Sequence, residues 1–274
     1  IISADQLHEL LDDEGLRIIE VGRDRAQYDE GHLPGAVFVD WVTDIIDQKK
    51  LERYNVIGRA EMEALLGRLG IASGTTVILY DDLSSRLSTR MYWSMRFYGH
   101  ERVHVLDGGR AAWSRARLGL SKQVPNVDAT NYRITNVDTT QRVDMVFVES
   151  NLGDPSVQLV DGRPPEQFTG EQTGRVFHTG KPHAKRGHIP GAVNVFWKDN
   201  FNEDGTFKSV ESLRKLYRER GVRSGSTVIT YCNEGLHAAP PWFVLKELLG
   251  FDDVRVYDDS MSEWANEAKP MSER

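Results

Sequence analysis

A single cysteine, Cys232, stands among 274 residues. No internal disulfide can form, so the fold does not depend on an oxidising compartment. No apolar run approaches the roughly 20 residues a bilayer span needs, and no membrane association is expected. A long basic stripe is missing too. With 34 basic against 41 acidic side chains and a formal charge of −7, the composition speaks against nucleic acid as the main partner. Metal ligation is poorly supplied: there is no second cysteine, and His178, His183 and His188 fit no common ligand spacing.

What is present gathers around the one thiol. Cys232 follows the apolar run Ser226-Thr227-Val228-Ile229-Thr230-Tyr231, which reads as a buried strand. It precedes the polar turn Asn233-Glu234-Gly235-Leu236-His237-Ala238, with Gly235 free to take a tight curl. Then comes a stretch from Ala239 to Leu249 that reads as an amphipathic helix closed by Gly250. Strand, tight loop and helix start collect backbone N–H groups around one side chain, where a thiolate or an oxyanion is stabilised. The competing reading is a buried structural cysteine.

The chain carries its own comparison. Gly74-Thr75-Thr76-Val77-Ile78-Leu79-Tyr80-Asp81-Asp82 matches Gly225-Ser226-Thr227-Val228-Ile229-Thr230-Tyr231-Cys232-Asn233, 151 residues on. The same offset carries Gly99 onto Gly250, Asp107 onto Asp258 and Trp113 onto Trp264. Upstream, Gly31-His32-Leu33-Pro34-Gly35-Ala36-Val37 repeats as Gly187-His188-Ile189-Pro190-Gly191-Ala192-Val193. Two copies of one fold are the economical explanation. In the first copy Asp81 holds the cysteine position, so only the second copy is equipped for thiol chemistry.

Each copy alternates strand-like and helical runs. In the first, strands are expected at Leu16–Val21, Ala36–Val39, Thr75–Tyr80 and Arg102–Leu106, and helices at Ala4–Leu11, Ala60–Leu69 and Ser88–Tyr98. This predicts an α/β protein in which each domain is a mostly parallel sheet with helices on both faces. Ligands bind beyond the carboxyl ends of such strands, where Cys232 falls. Expected limits are 1–118 for an inactive domain, 119–141 for a polar interdomain linker and 142–274 for the catalytic domain. The alternative for the middle segment is a surface loop of the first domain.

Together these residues resemble the two-domain rhodanese sulfurtransferases, which act on thiosulfate or 3-mercaptopyruvate. The resemblance rests on both Gly-His-x-Pro-Gly-Ala-Val blocks, on Leu106-Asp107-Gly108-Gly109-Arg110 with Trp113, and on Asp161-Gly162-Arg163. Asn202-Glu203-Asp204-Gly205-Thr206-Phe207-Lys208 and the cysteine loop complete it. It implies a catalytic Cys232, an inactive first domain and a site in the cleft between the domains. It further implies transfer of sulfane sulfur, through a Cys232 persulfide, to cyanide or a thiol, with no cofactor and no metal. The loop from Asn233 to Ala238 would bind the substrate, and Asp161 and Arg163 would support it. Expected partners are a small-molecule sulfur donor, a cyanide or thiol acceptor, and an acceptor protein where the persulfide is handed on. A monomer is expected. So is a cytoplasmic location, with the periplasm after signal cleavage as the alternative because the chain does not start with Met.

The loop departs from the family pattern. Thiosulfate-using relatives carry basic side chains there and mercaptopyruvate-using ones small neutral side chains, whereas this loop has Glu234 and His237. A carboxylate aimed at the site would repel a dianion; aimed at solvent it would be neutral to the chemistry. His237 is either a source of positive charge or a solvent-facing residue at the helix start. Gln167 stands where related enzymes place a substrate-binding arginine. The segment 175–188 has no counterpart in the first copy, and its Lys185 and Arg186 are candidates for drawing anions in; otherwise it is a solvated loop. Arg86 and Arg90 face the first copy's equivalent of the cysteine loop, where they either line the cleft or, as expected, lie at the surface. A phosphatase of the same fold needs an arginine six residues after the cysteine, and here that position is Ala238.

Overall fold

The computed structural model describes residues 1–51 and 53–273. The chain divides into two compact units. One comprises Ile1–Gln48, Val56–Asp138 and Phe201–Phe207; the other comprises Lys49–Asn55, Thr139–Asn200 and the chain from Lys208 on. Each unit thus takes one short segment from the other half of the sequence.

The first unit is built on a parallel sheet of β1 (Leu16–Gly22), β2 (Ala36–Asp40), β3 (Thr76–Tyr80) and β4 (Val103–Val105), in the order β2-β1-β3-β4. The second contains β5 (Arg142–Val143), β6 (Val157–Asp161), β7 (Val193–Asn194), β8 (Thr227–Tyr231) and β9 (Val254–Tyr257). These are likewise all parallel, in the order β5-β9-β8-β6-β7. Read from β7, the second sheet repeats the first strand for strand and adds β5 at its edge. In the first unit an isolated parallel bridge from Ile2 to Leu106 stands in that place.

Residues Val77–Tyr80 and Val228–Tyr231 are buried throughout, as β-branched strands covered on both faces must be. The core of the second unit joins Leu159, Ile229, Tyr231, Tyr257, Met261 and Trp264. That of the first joins Leu7, Ile18, Ile78, Tyr80, Leu106 and Trp113. The repeated Gly-His-x-Pro-Gly blocks are structural turns. Leu33 N donates to the Tyr80 hydroxyl at 3.1 Å and Ile189 N to the Tyr231 hydroxyl at 3.3 Å. His32 stacks on Tyr28, and His188 stacks on Phe168.

Three expectations need correction. Arg90 is not a surface residue: it is completely buried, its guanidinium 4.7 Å from the Trp93 ring, because a planar, weakly hydrated cation can lie on an aromatic face. Arg86 is half-buried rather than exposed. The stretch after Cys232 is not one amphipathic α-helix. It is an α-turn, Ala239–Phe243, passing into a π-turn, Val244–Leu248, with Ala239 to Leu245 all buried. Pro240 and Pro241 lack N–H groups and fit only a first helical turn. Residues 119–138 belong to the first unit, tied by Ser121 N to His32 O and Thr130 N to Gly67 O.

Candidate active site

Cys232 lies immediately beyond the carboxyl end of β8, the position Asp81 takes beyond β3. Its backbone is fixed before its sulfur is considered. Cys232 N and Gly235 N both donate to Ser260 Oγ at 3.1 Å, and that hydroxyl donates to Tyr257 O at 2.8 Å. Met261 N donates to Cys232 O, and Ser262 N to Asn233 O. Gly235 sits at φ 78°, a left-handed turn that a side chain would strain. Gly162 lets the end of β6 pass under the loop, since a Cβ there would stand 2.6 Å from His237 O.

The loop then closes around sulfur. Glu234 N lies 3.4 Å from Cys232 Sγ, and the backbone N–H groups of His237 and Ala238 also donate to it. Cys232 is buried, and burial pushes its thiol up to about 11, with the Glu234 carboxylate adding to the shift and the three N–H groups opposing it. The resting sulfur is therefore a thiol inside a cage of donors. A charge arriving on sulfur meets dipoles already in place.

Glu234 does not point at solvent. It is buried, and its Oε1 accepts from Phe177 N at 2.7 Å. Burial raises its carboxyl to about 8, so near neutrality the group is mostly protonated. His237 is half-buried and stacked on Trp197, ring centroids 5.2 Å apart. Leu236 and Ala238 are buried. Asn233 Nδ2 donates to Gln167 Oε1 at 2.9 Å, and its Oδ1 faces His183 Nε2 at 3.1 Å. Asp161 and Arg163 form a fully buried bidentate pair with N–O distances of 2.6–3.0 Å, and Arg163 also donates to Gly187 O at 2.8 Å. This cation feels the charge on Cys232. Lys185 directs its ammonium at Lys269 O, 2.6 Å away, and Arg186 is exposed.

Sequence reasoning passed over Ser260, His183, Trp197 and the Phe177 amide. Ser260 alone left a trace. It occupies the position of Gly109 in the first copy, and both are left-handed, at φ 52°; a Cβ at Gly109 would stand 2.1 Å from Asp81 O. A side chain at such a backbone position marks a site with a purpose.

The pH dependence of stability follows from Glu234. Its carboxyl is raised from 4.5 unfolded to about 8 folded, so the folded state holds the extra proton. Its stabilising contribution is present below pH 4.5 and is lost as pH rises through about 8. Thermal midpoints should fall over that window and fall less in Glu234→Gln. Parallel profiles for the two proteins would refute the assignment.

A lone thiol beyond a parallel strand, ringed by backbone N–H groups and without a following arginine, defines a protein that carries a small group on sulfur. The chain matches the rhodanese-like domain twice, over residues 3–116 and 146–267. It is 39% identical over 270 residues to a thiosulfate sulfurtransferase of Corynebacterium glutamicum, covering 97% of this chain and 87% of that one. It is 35% identical over 269 residues to a sulfur carrier protein of Thermus thermophilus, covering 97% and 93%. The crystal structure of the 3-mercaptopyruvate sulfotransferase SseA from Escherichia coli superposes with a TM-score of 0.83 at 27% identity, over 95% of this chain and 98% of that one. The protein belongs to the rhodanese family, with two rhodanese domains in tandem.

Proposed function

We propose that the protein moves sulfane sulfur from thiosulfate to cyanide or a thiol through a Cys232 persulfide. The observation that carries this reading is the convergence of the Glu234, His237 and Ala238 N–H groups on the buried Sγ. In the first half-reaction the thiol gives its proton to solvent. Its electron pair then bonds to the outer sulfur of thiosulfate, and the S–S pair departs with sulfite. In the second, cyanide or a thiolate attacks the outer persulfide sulfur and the Cys232 thiolate leaves. The N–H cage stabilises the negative charge of both thiolate and persulfide. Arg163 places a buried positive charge behind the loop.

Thiosulfate is a dianion, and the carboxyl of Glu234 decides how the loop receives it. Held near 8 by burial, it is mostly neutral at pH 7 and does not repel the donor. kcat/KM for thiosulfate should therefore turn downward as pH passes about 8, and Glu234→Gln should remove that descending limb. The rise towards alkaline pH from thiol ionisation would then show alone. A wild-type profile that climbs unbroken through this range, or an unchanged limb in Glu234→Gln, would refute the role. Steady-state rates with thiosulfate and with 3-mercaptopyruvate, each against cyanide, identify the donor; faster turnover of mercaptopyruvate would overturn the choice of thiosulfate.

A second reading is supported by the relative named as a sulfur carrier. In it the persulfide is handed to an acceptor protein and turnover of small donors is slow. The chemistry at Cys232 is unchanged.

A further inference from the structure

The segment that the first copy lacks is a hairpin, and it grips the cysteine loop at two points. Val176 N donates to Lys181 O and His183 N to Gly174 O, each at 2.9 Å, with Arg175 bridged to Pro182. From this hairpin the Phe177 amide reaches the Glu234 carboxyl and His183 reaches the Asn233 amide. Gly174 makes the closure possible: a Cβ there would stand 2.5 Å from Asn233 Oδ1 and 2.6 Å from His183 Cδ2.

We propose that His183 is a positioning residue for sulfur transfer, acting on Cys232 through the side chain of Asn233; this rests on the persulfide reading above. With Asn233 Nδ2 donating to Gln167 Oε1, Asn233 Oδ1 accepts from His183, which in this arrangement carries its proton on Nε2 and leaves Nδ1 buried without a hydrogen-bond partner. The imidazole is buried and neutral: burial pushes it down to about 4, and the charge of Arg163 acts the same way. It is a fixed dipolar donor, not a titrating base.

Asn233 is thereby held by Gln167 and His183 at its side chain and by Ser262 N at its carbonyl, 2.8 Å. With both held, the peptide joining Asn233 to Glu234 has little freedom to turn, and that peptide supplies the N–H 3.4 Å from Sγ. Releasing one side of the Asn233 amide lets this donor swing off the sulfur. The loss is felt when the sulfur is charged, in the attacking thiolate and in the persulfide, and hardly at all in donor binding.

Two variants of the full chain test this. His183→Ala should lower kcat for thiosulfate:cyanide transfer about tenfold, less than the roughly 100-fold cost of removing such a donor outright. KM should stay within about twofold, because interactions made only in the charged states act on kcat. His183→Gln can present a neutral N–H to Asn233 Oδ1 and should recover most of the loss. The second readout does not depend on turnover. The pH profile for alkylation of Cys232, the only cysteine, should move to higher pH in His183→Ala and return in His183→Gln. Glu234 and Arg163, which also act on this thiol, are unaltered in both variants. An alkylation profile identical to wild type in His183→Ala overturns the proposal, as does His183→Gln behaving like His183→Ala. Failure of the wild type to take up sulfur would instead overturn the persulfide reading, and the alkylation measurement would still judge His183.

Discussion

Cys232→Ser should abolish sulfur loading. Incubated with thiosulfate and examined by intact mass, the wild type should gain one sulfur atom and lose it again to cyanide, while the variant gains none. Cys232 is the only cysteine, so the mass shift needs no mapping. Removing a covalent nucleophile elsewhere costs about 10⁶ in kcat, and a loss of that order, down to background, is expected here. The fold should survive, because serine fills nearly the same space and the loop is held by Ser260, Met261 and Ser262 rather than by sulfur. Sulfur uptake by Cys232→Ser, or none by the wild type, would remove the basis for covalent transfer.

The largest effect on stability should come from Asp161→Asn. Asp161 and Arg163 are fully buried, and the carboxylate meets the guanidinium with three side-chain hydrogen bonds. Neutralising one partner leaves a cation in a medium that cannot solvate it, at a cost of about 3–5 kcal/mol. Denaturant unfolding should show the midpoint of the second unit falling while its slope is kept. Replacing both partners with apolar residues of similar volume should cost less than the single change, since no uncompensated charge remains. A single-variant loss below about 1 kcal/mol would mean that the pair behaves like an exposed one.

The parts legible in the sequence share a physical cause. Val77–Tyr80 and Val228–Tyr231 could be read because a strand buried on both faces has to be apolar along its length. The cysteine loop could be read because a polar turn with glycine is the chemistry of a chain reversing at a strand end. The duplication then doubled every signal. What escaped was mostly backbone or long-range. The Phe177 amide that receives Glu234 is 57 residues from it in sequence and has no side-chain signature. His183 was seen only as one histidine in a basic run, since nothing local reveals that it folds back onto Asn233. The exchange of Lys49–Asn55 and Phe201–Phe207 between units has no periodicity to betray it. Arg90 was misplaced because charge suggests solvent, and the Trp93 face that shelters it lies on the same helix but is no part of a charge count.

Asp81 carries a consequence of its own. In the first unit the carboxylate takes four backbone N–H groups, from Leu83, Ser85, Leu87 and Ser88, at 2.7–3.0 Å. That curl is complete at rest: its acceptor is part of the chain. The curl around Cys232 holds a neutral thiol instead, a weak acceptor for the donors that surround it. The two loops are one device in two states of fulfilment. The first copy holds its acceptor within its own chain. The working copy keeps its appetite, and the sulfur it takes up satisfies the backbone for as long as the persulfide lasts.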